Sequence, residues 1–251
     1  MSSASSPRHL KPAPGGHPPV RPADPGRPSR SGLVRLAVGA GLAITVLILG
    51  VIAKIGPVAR LDLRVDQHIA ARHRTAELTT LAKAASEVAT PETVGLALLI
   101  GLPLVLLLAR RRMDAVKVFC MFAGAFALAE VGKKLIAEHR PPVSLQAMAA
   151  DSGASYPSGH ATTAAVAAVA LIVIAAGGWR YAAVVLGGLY AVAVAASRVY
   201  LADHYPLDVL GGMLCALAAA FAVTGLAALP AVQPWLQRLD TRSGRHPRSI
   251  A

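Results

Sequence analysis

The sequence predicts an all-α fold: a polytopic membrane helical bundle with six transmembrane helices and a surface amphipathic segment between the first two. Three observations carry that expectation. Only 15% of the 251 residues are charged, against roughly 25% in soluble domains. Several uncharged apolar runs reach the length of about 20 residues that a helix needs to cross the hydrocarbon core. The basic residues behind the net charge of +12 flank those runs rather than forming one face. That is the pattern of cytoplasmic anchors, and it points away from nucleic acid as a partner.

Residues 1–31 are rich in Pro, Ser, Gly and Arg, with Asp24 as the one acid. Such a stretch cannot bury enough apolar surface to fold and reads as a disordered basic tail. It is no signal peptide, because the apolar run begins too late and lacks a cleavage pattern. The first span runs from Leu36 to Ala53. Residues 56–90 carry both signs of charge and read as one or two amphipathic helices on the membrane surface. Pro91 opens the second span, Thr93 to Ala109, which stops at Arg110-Arg111-Arg112. The third runs from Val116 to Gly132 and ends at Lys133-Lys134. The fourth is Ala161 to about Gly177, the fifth Tyr181 to about Ser197, and the sixth Val209 to Leu229. A basic tail, residues 231–251, closes the chain, and residues 32–230 read as one domain. Gly and Ala are frequent within the spans, which suits close helix packing in lipid. Cys120 and Cys215 lie inside apolar runs and read as small buried residues.

Six spans put both termini on one side. The positive-inside rule makes the two tails and the Arg110–Arg112 turn cytoplasmic, although Lys133 and Lys134 then lie on the far side, against the rule. That outer side holds three polar clusters. In KKLIAEHRPP, Lys133 and Arg140 are two helical turns apart and share one face, and Pro141 and Pro142 then end the helix. Two cations there make either an anion site or a pair of interfacial anchors. In YPSGH, Ser158 is a good N-cap, Gly159 lets a backbone come close to a ligand, and His160 sits in the first turn of the following span. A helix N-terminus binds phosphate readily; the plainer reading is a capped helix with an incidental histidine. In SRVYLADHYPLD, Ser197 and Arg198 end the fifth span, while His204 and Asp208 are spaced to stack at the start of the sixth. An aspartate that fixes one imidazole nitrogen leaves the other as a nucleophile or base. Otherwise Asp208 complements the helix dipole beside a surface histidine. Ionisable groups at spans are costly and functional by default, so three such clusters on one side favour a site. No group of carboxylates offers itself to magnesium or calcium, and no His/Cys set to zinc. The sequence therefore predicts no metal and no cofactor, and chemistry on a phosphate.

The three clusters in this order, Lys133-x6-Arg140-Pro141, Pro157-Ser158-Gly159-His160 and Ser197-Arg198-x5-His204-x3-Asp208, resemble the signature of the type 2 phosphatidic acid phosphatase superfamily. The resemblance covers about residues 33–230 and is strong only because all three motifs occur together. It implies that His204 attacks phosphorus to form a phosphohistidine, with Asp208 orienting it. His160 is implied as the acid for the leaving oxygen and then the base for water. Lys133, Arg140, Ser158, Gly159 and Arg198 are implied to hold the phosphoryl oxygens. The implied substrate is a lipid phosphate monoester or diphosphate: phosphatidic acid, a phosphatidylglycerol phosphate or a polyprenyl diphosphate such as undecaprenyl diphosphate. The implied location is the plasma membrane, with the site on the extracytoplasmic face.

Other readings share these motifs. A phosphotransferase or a sugar-phosphate phosphatase would use the same histidine, and a non-catalytic lipid-binding or transport protein would keep only the fold. A vanadium haloperoxidase would fill the pocket with vanadate, but its relatives are soluble and this chain is not built that way. His68 and His73 read as interfacial histidines, and Glu130 as the partner of a nearby basic residue. Glu138, His139, Tyr200, Asp203 and Tyr205 lie between motif positions with no rank among them.

Overall fold

The computed structural model of the protein describes residues 30–149 and 151–241. The expected tails at residues 1–29 and 242–251 lie outside them. Among the described residues there are helices, turns and coil, and no strand. The long helices are α1 (Arg30–Ala53), α2 (Gly56–Arg72), α3 (Ala76–Glu87), α4 (Leu96–Leu108), α5 (Arg112–Ile136), α6 (Gly159–Ile174), α7 (Trp179–Tyr200), α8 (Pro206–Ala227) and α9 (Gln233–Thr241). Five segments are long and apolar enough to cross a membrane: α1, the run Ala76–Leu108, α5, α7 and α8. Their outward faces carry Ile44, Ile100, Leu104, Leu186 and Leu189, an apolar surface suited to lipid rather than water. The chain is a multi-pass membrane protein.

Two differences from the expected spans matter. The fourth span is the 16-residue α6, about 24 Å long at 1.5 Å per residue, which is short of a hydrocarbon core of about 30 Å. It packs against α5, α7 and α8, so its N-terminus starts inside the bundle. The second span is longer than expected. Part of the expected surface segment, α3, runs through a π-helical turn at Pro91–Gly95 into α4, and α3 packs against α7. Only α2 keeps the surface character read from the sequence. Residues 233–241 of the expected tail form α9.

The core follows from small residues. Val118, Met121 and Phe122 of α5 meet Val166 and Ala170 of α6 and Ala216 and Ala220 of α8. Ala164 and Ala168 of α6 meet Ala191 and Val194 of α7. Without a hydrophobic drive between helices in lipid, close backbone approach supplies the packing. At Gly39 of α1 a Cβ would stand 2.9 Å from the Ala222 nitrogen and 3.0 Å from the Ala218 oxygen of α8. At Gly212 of α8 it would stand 2.5 Å from the Ser158 oxygen, so α8 is pressed against the segment that opens α6.

Replacing Gly39 with Leu therefore drives a side chain into backbone and destabilises the fold by about 1–3 kcal/mol. At Gly41 a Cβ meets nothing within 4 Å, and the same change there shifts stability by less than about 0.5 kcal/mol. Thermal unfolding of both variants in one detergent checks the contrast.

Candidate active site

The site is assembled from pieces of chain at one end of the bundle. The first is the end of α5 with the loop beyond it. α5 stops at Ile136 because Ala137 takes a left-handed conformation (φ 48°) and its N–H closes on the Lys133 carbonyl. Arg140 is thus on a loop and not on the helix, which corrects the expectation of one shared helical face. The restriction on a residue before proline is part of the reason, since Arg140 precedes Pro141. The two cations still reach the same region. Lys133 pairs with Glu130 at 3.3 Å, and its Nζ lies 3.8 Å from where a Gly159 Cβ would be.

The second piece is the start of α6. Ser158 caps it, its Oγ accepting from the Ala161 N–H at 3.4 Å, while its own N–H donates to the Asp208 carbonyl at 2.9 Å. Gly159 admits no side chain, because a Cβ would be 2.9 Å from Pro91 Cγ. His160 in the first turn is 3% exposed, and its Nδ1 lies 3.3 Å from Asp151 Oδ2.

The third piece is the turn between α7 and α8. Ala202 is left-handed (φ 53°), and the Asp203 and His204 amides fold back onto the Arg198 carbonyl at 3.1 and 3.4 Å. Here too the expectation needs correcting: His204 precedes α8 and does not lie on it, since Pro206 opens the helix. The pair nevertheless meets. His204 Nδ1 is 3.4 Å from Asp208 Oδ2. Asp208 Oδ2 also accepts from Ser155 Oγ at 2.5 Å and from the Tyr205 N–H at 2.9 Å. On the other edge of the ring, Nε2 lies 3.4 Å from Arg140 Nη1 and 3.4 Å from Asp203 Oδ2.

Arg198 ties the pieces together. It is 1% exposed. Nη2 donates to Asp151 Oδ2 at 2.7 Å and closely to Asp203 Oδ2, and Nη1 donates closely to Ser86 Oγ of α3. Arg140 Nη1 donates to the same Asp203 Oδ2 at 2.6 Å. Burial, and then the Arg140 guanidinium, push the His204 ring well below the usual imidazole range, so it is neutral near pH 7 with a lone pair to offer. The His160 ring first, then Arg198, hold the Asp151 carboxyl well below the usual carboxylate range. Beside Arg140 a cavity of about 570 Å³ opens, lined by His139, Pro142, Gln146 and Gly153 among others.

Every residue singled out by the motifs therefore lies in or beside one cluster: Lys133, Arg140, Ser158, Gly159, His160, Arg198, His204 and Asp208. Asp203, unranked in the sequence, is central. Asp151, Ser155 and Ser86 were missed, because no spacing marks a lone acid or serine as the partner of a residue far along the chain. His68 and His73 are exposed, their rings 5.2 Å apart and tilted to each other by 53°. Donor atoms of Asp151, Asp203 and His204 lie within 4.8 Å of one another. Both carboxylates already accept from arginines, and that positive charge suits an anion better than a cation. A neutral imidazole backed by a carboxylate and facing the Arg140 and Arg198 guanidiniums, with the Lys133 ammonium beside the N-terminus of α6, suits attack on an anionic electrophile and stabilisation of the charge that develops.

Residues 114–228 match the family model of the PAP2 superfamily. Over 117 residues the chain is 36% identical to an undecaprenyl-diphosphatase of Sulfolobus acidocaldarius, a stretch covering 44% of this chain and 54% of that one. The chain thus spans about half the length of the curated relative it matches. The crystal structure of a transmembrane PAP2-type phosphatidylglycerolphosphate phosphatase from Bacillus subtilis aligns with a TM-score of 0.66 at 24% identity, covering 74% of this chain and 94% of that one. At that identity the likeness speaks for the fold alone. The resemblance read from the motifs is borne out over residues 114–228, a shorter stretch than the 33–230 expected.

Ser155 holds the carboxylate behind the histidine. Removing a hydrogen bond to a charged group costs about 1.5–3 kcal/mol, so Ser155→Ala destabilises the fold by that amount, and Ser155→Thr recovers part of the loss. Thermal unfolding of the two variants in one detergent checks this.

Proposed function

We propose that the protein, whose residues 114–228 match the family model of the PAP2 superfamily, is an integral membrane lipid phosphatase acting on a phosphate monoester or diphosphate. The observation that carries the reading is the His204 ring, set between Asp208 on one edge and the Arg140 and Arg198 cluster on the other. Asp208 Oδ2, 3.4 Å from Nδ1, favours the proton on that nitrogen, which leaves the Nε2 lone pair facing the cations. Nε2 attacks phosphorus as the bond to the leaving oxygen breaks, and His160 gives that oxygen its proton. His160 then takes a proton from water, the water attacks the phosphohistidine, and the P–N bond breaks to free phosphate and His204. Arg140, Arg198 and Lys133, with Ser158 and the Gly159 amide at the head of α6, offset the charge gathering on the phosphoryl oxygens. Arginine suits bidentate contacts and lysine a point charge. No step requires a metal.

The membrane setting supports a lipid substrate. A headgroup can enter at the site while its hydrocarbon chain stays between lipid-facing helices. Among phosphatidic acid, a phosphatidylglycerol phosphate and a polyprenyl diphosphate, the activity named for the Sulfolobus relative favours the last. The Arg110–Arg112 turn lies at the start of α5 and the site at its end, so the two are on opposite sides of the membrane. The positive-inside rule then puts the site on the extracytoplasmic face of the plasma membrane and both termini in the cytoplasm.

In detergent micelles the protein releases phosphate from at least one of these lipids in excess EDTA. His204→Ala and His160→Ala each lower the rate by about a thousandfold or more. Loss of activity on chelation would reject the metal-free route. Well-folded protein that cleaves none of the lipids would favour the transport or binding reading.

A further inference from the structure

The cations proposed to receive the phosphate are already satisfied by carboxylates of the chain itself. Arg198 has almost no contact with solvent, and its Nη2 is shared by Asp151 and Asp203. The two carboxylates are held very differently. Asp203 is 1% exposed. Its oxygens accept from Arg140, from Arg198 and, at 3.2 Å, from the Asp151 N–H, and its backbone is fixed in the turn before His204. Asp151 has a side chain 36% exposed, and it lies outside every helix. One of its oxygens, Oδ2, stands 2.7 Å from Arg198 Nη2 and 3.3 Å from His160 Nδ1. Those are the guanidinium meant for a phosphoryl oxygen and the imidazole meant for the leaving oxygen. The next residues reach Arg140 as well: the Ser152 and Gly153 carbonyls lie 3.5 and 3.3 Å from its nitrogens.

We propose that Asp151 is a built-in counter-anion that holds the phosphate seat between Arg198 and His160 until a substrate phosphate displaces it. This rests on the reading of the site as a phosphate site. Asp203 alone would face two guanidiniums, and buried positive charge left uncompensated costs several kcal/mol, so the empty site needs a second anion, and a half-exposed aspartate on a loop is one that can leave. The exchange keeps Arg198 paired throughout. It also sets the affinity, because each anion that binds must first outcompete a carboxylate already within hydrogen-bond reach. Asp151 thereby tunes how strongly the site holds both substrate and released phosphate, without taking part in the bonds that form and break.

Calorimetric titration of inorganic phosphate into the full-length protein in detergent tests this without any lipid turnover. Asp151→Asn and Asp151→Ala are expected to bind phosphate on the order of 10-fold more tightly than the unaltered protein, the worth of one charged hydrogen bond relieved of competition. In lipid cleavage both variants lower KM and keep kcat within a few-fold. Phosphate bound equally or more weakly by the variants would overturn the proposal. So would a fall in kcat with KM unchanged, which would make Asp151 a partner in the proton transfers of His160. If neither the unaltered protein nor the variants bind phosphate, the proposal falls together with the reading of the site it rests on.

Discussion

The arrangement depends on one buried cation. Arg198 ends α7 inside a bundle of apolar helices, where an unpaired guanidinium would not be tolerated. Its partners come from three separated stretches: Ser86 on α3, Asp151 ahead of α6 and Asp203 in the turn before α8. Meeting the charge therefore fixes the relative position of these pieces. Asp203 then passes the constraint to Arg140, and both come to the Nε2 edge of His204. The histidine is oriented from behind by an independent set, Asp208 with Ser155 and the Tyr205 amide. The ring is thus gripped from both edges by groups that are themselves satisfied, which is how a reactive side chain is kept in one orientation.

The apolar scaffold serves that cluster through its dimensions. A full-length α6 would carry His160 towards the surface. The 16-residue helix starts within the bundle instead, capped by Ser158 and pressed against α8 at Gly212. Tyr156, fully buried, anchors the approach to it by donating to the Val46 carbonyl of α1 at 2.5 Å. The helix N-terminus is thereby delivered to the depth where the arginines lie. Two carboxylates of α2, Asp62 and Asp66, are also buried nearby. Burial pushes Asp66 up to about 8, so it stays mostly protonated at neutral pH, whereas Asp62, pushed up to about 6, remains mostly ionised.

Much of this was legible in the sequence. Apolar runs located the helices, since length and absence of charge decide membrane crossing, and the motif residues do converge. What the sequence concealed has physical causes. Helical spacing placed Lys133 with Arg140 and His204 with Asp208 on shared faces, yet a left-handed Ala137 and the helix start at Pro206 put Arg140 and His204 on loops. Tertiary ion pairs, not helical period, bring them to the site. The charge content of residues 76–90 hid that α3 belongs to the second span, because the value of Ser86 comes from Arg198, far along the chain. Asp151, Asp203 and Ser155 carry no spacing signal at all; their roles exist only once the arginines and Asp208 are in place.

The central claim is that His204 carries the phosphoryl group. The direct measurement is to supply a phosphorus-labelled lipid phosphate to the protein and to His160→Ala, in which the second step is slowed, quench in alkali, and map the label by mass spectrometry. The account predicts acid-labile, alkali-stable label on His204, absent from His204→Ala. Turnover by the protein with label on another residue, or with none on His204 in either form, would contradict it.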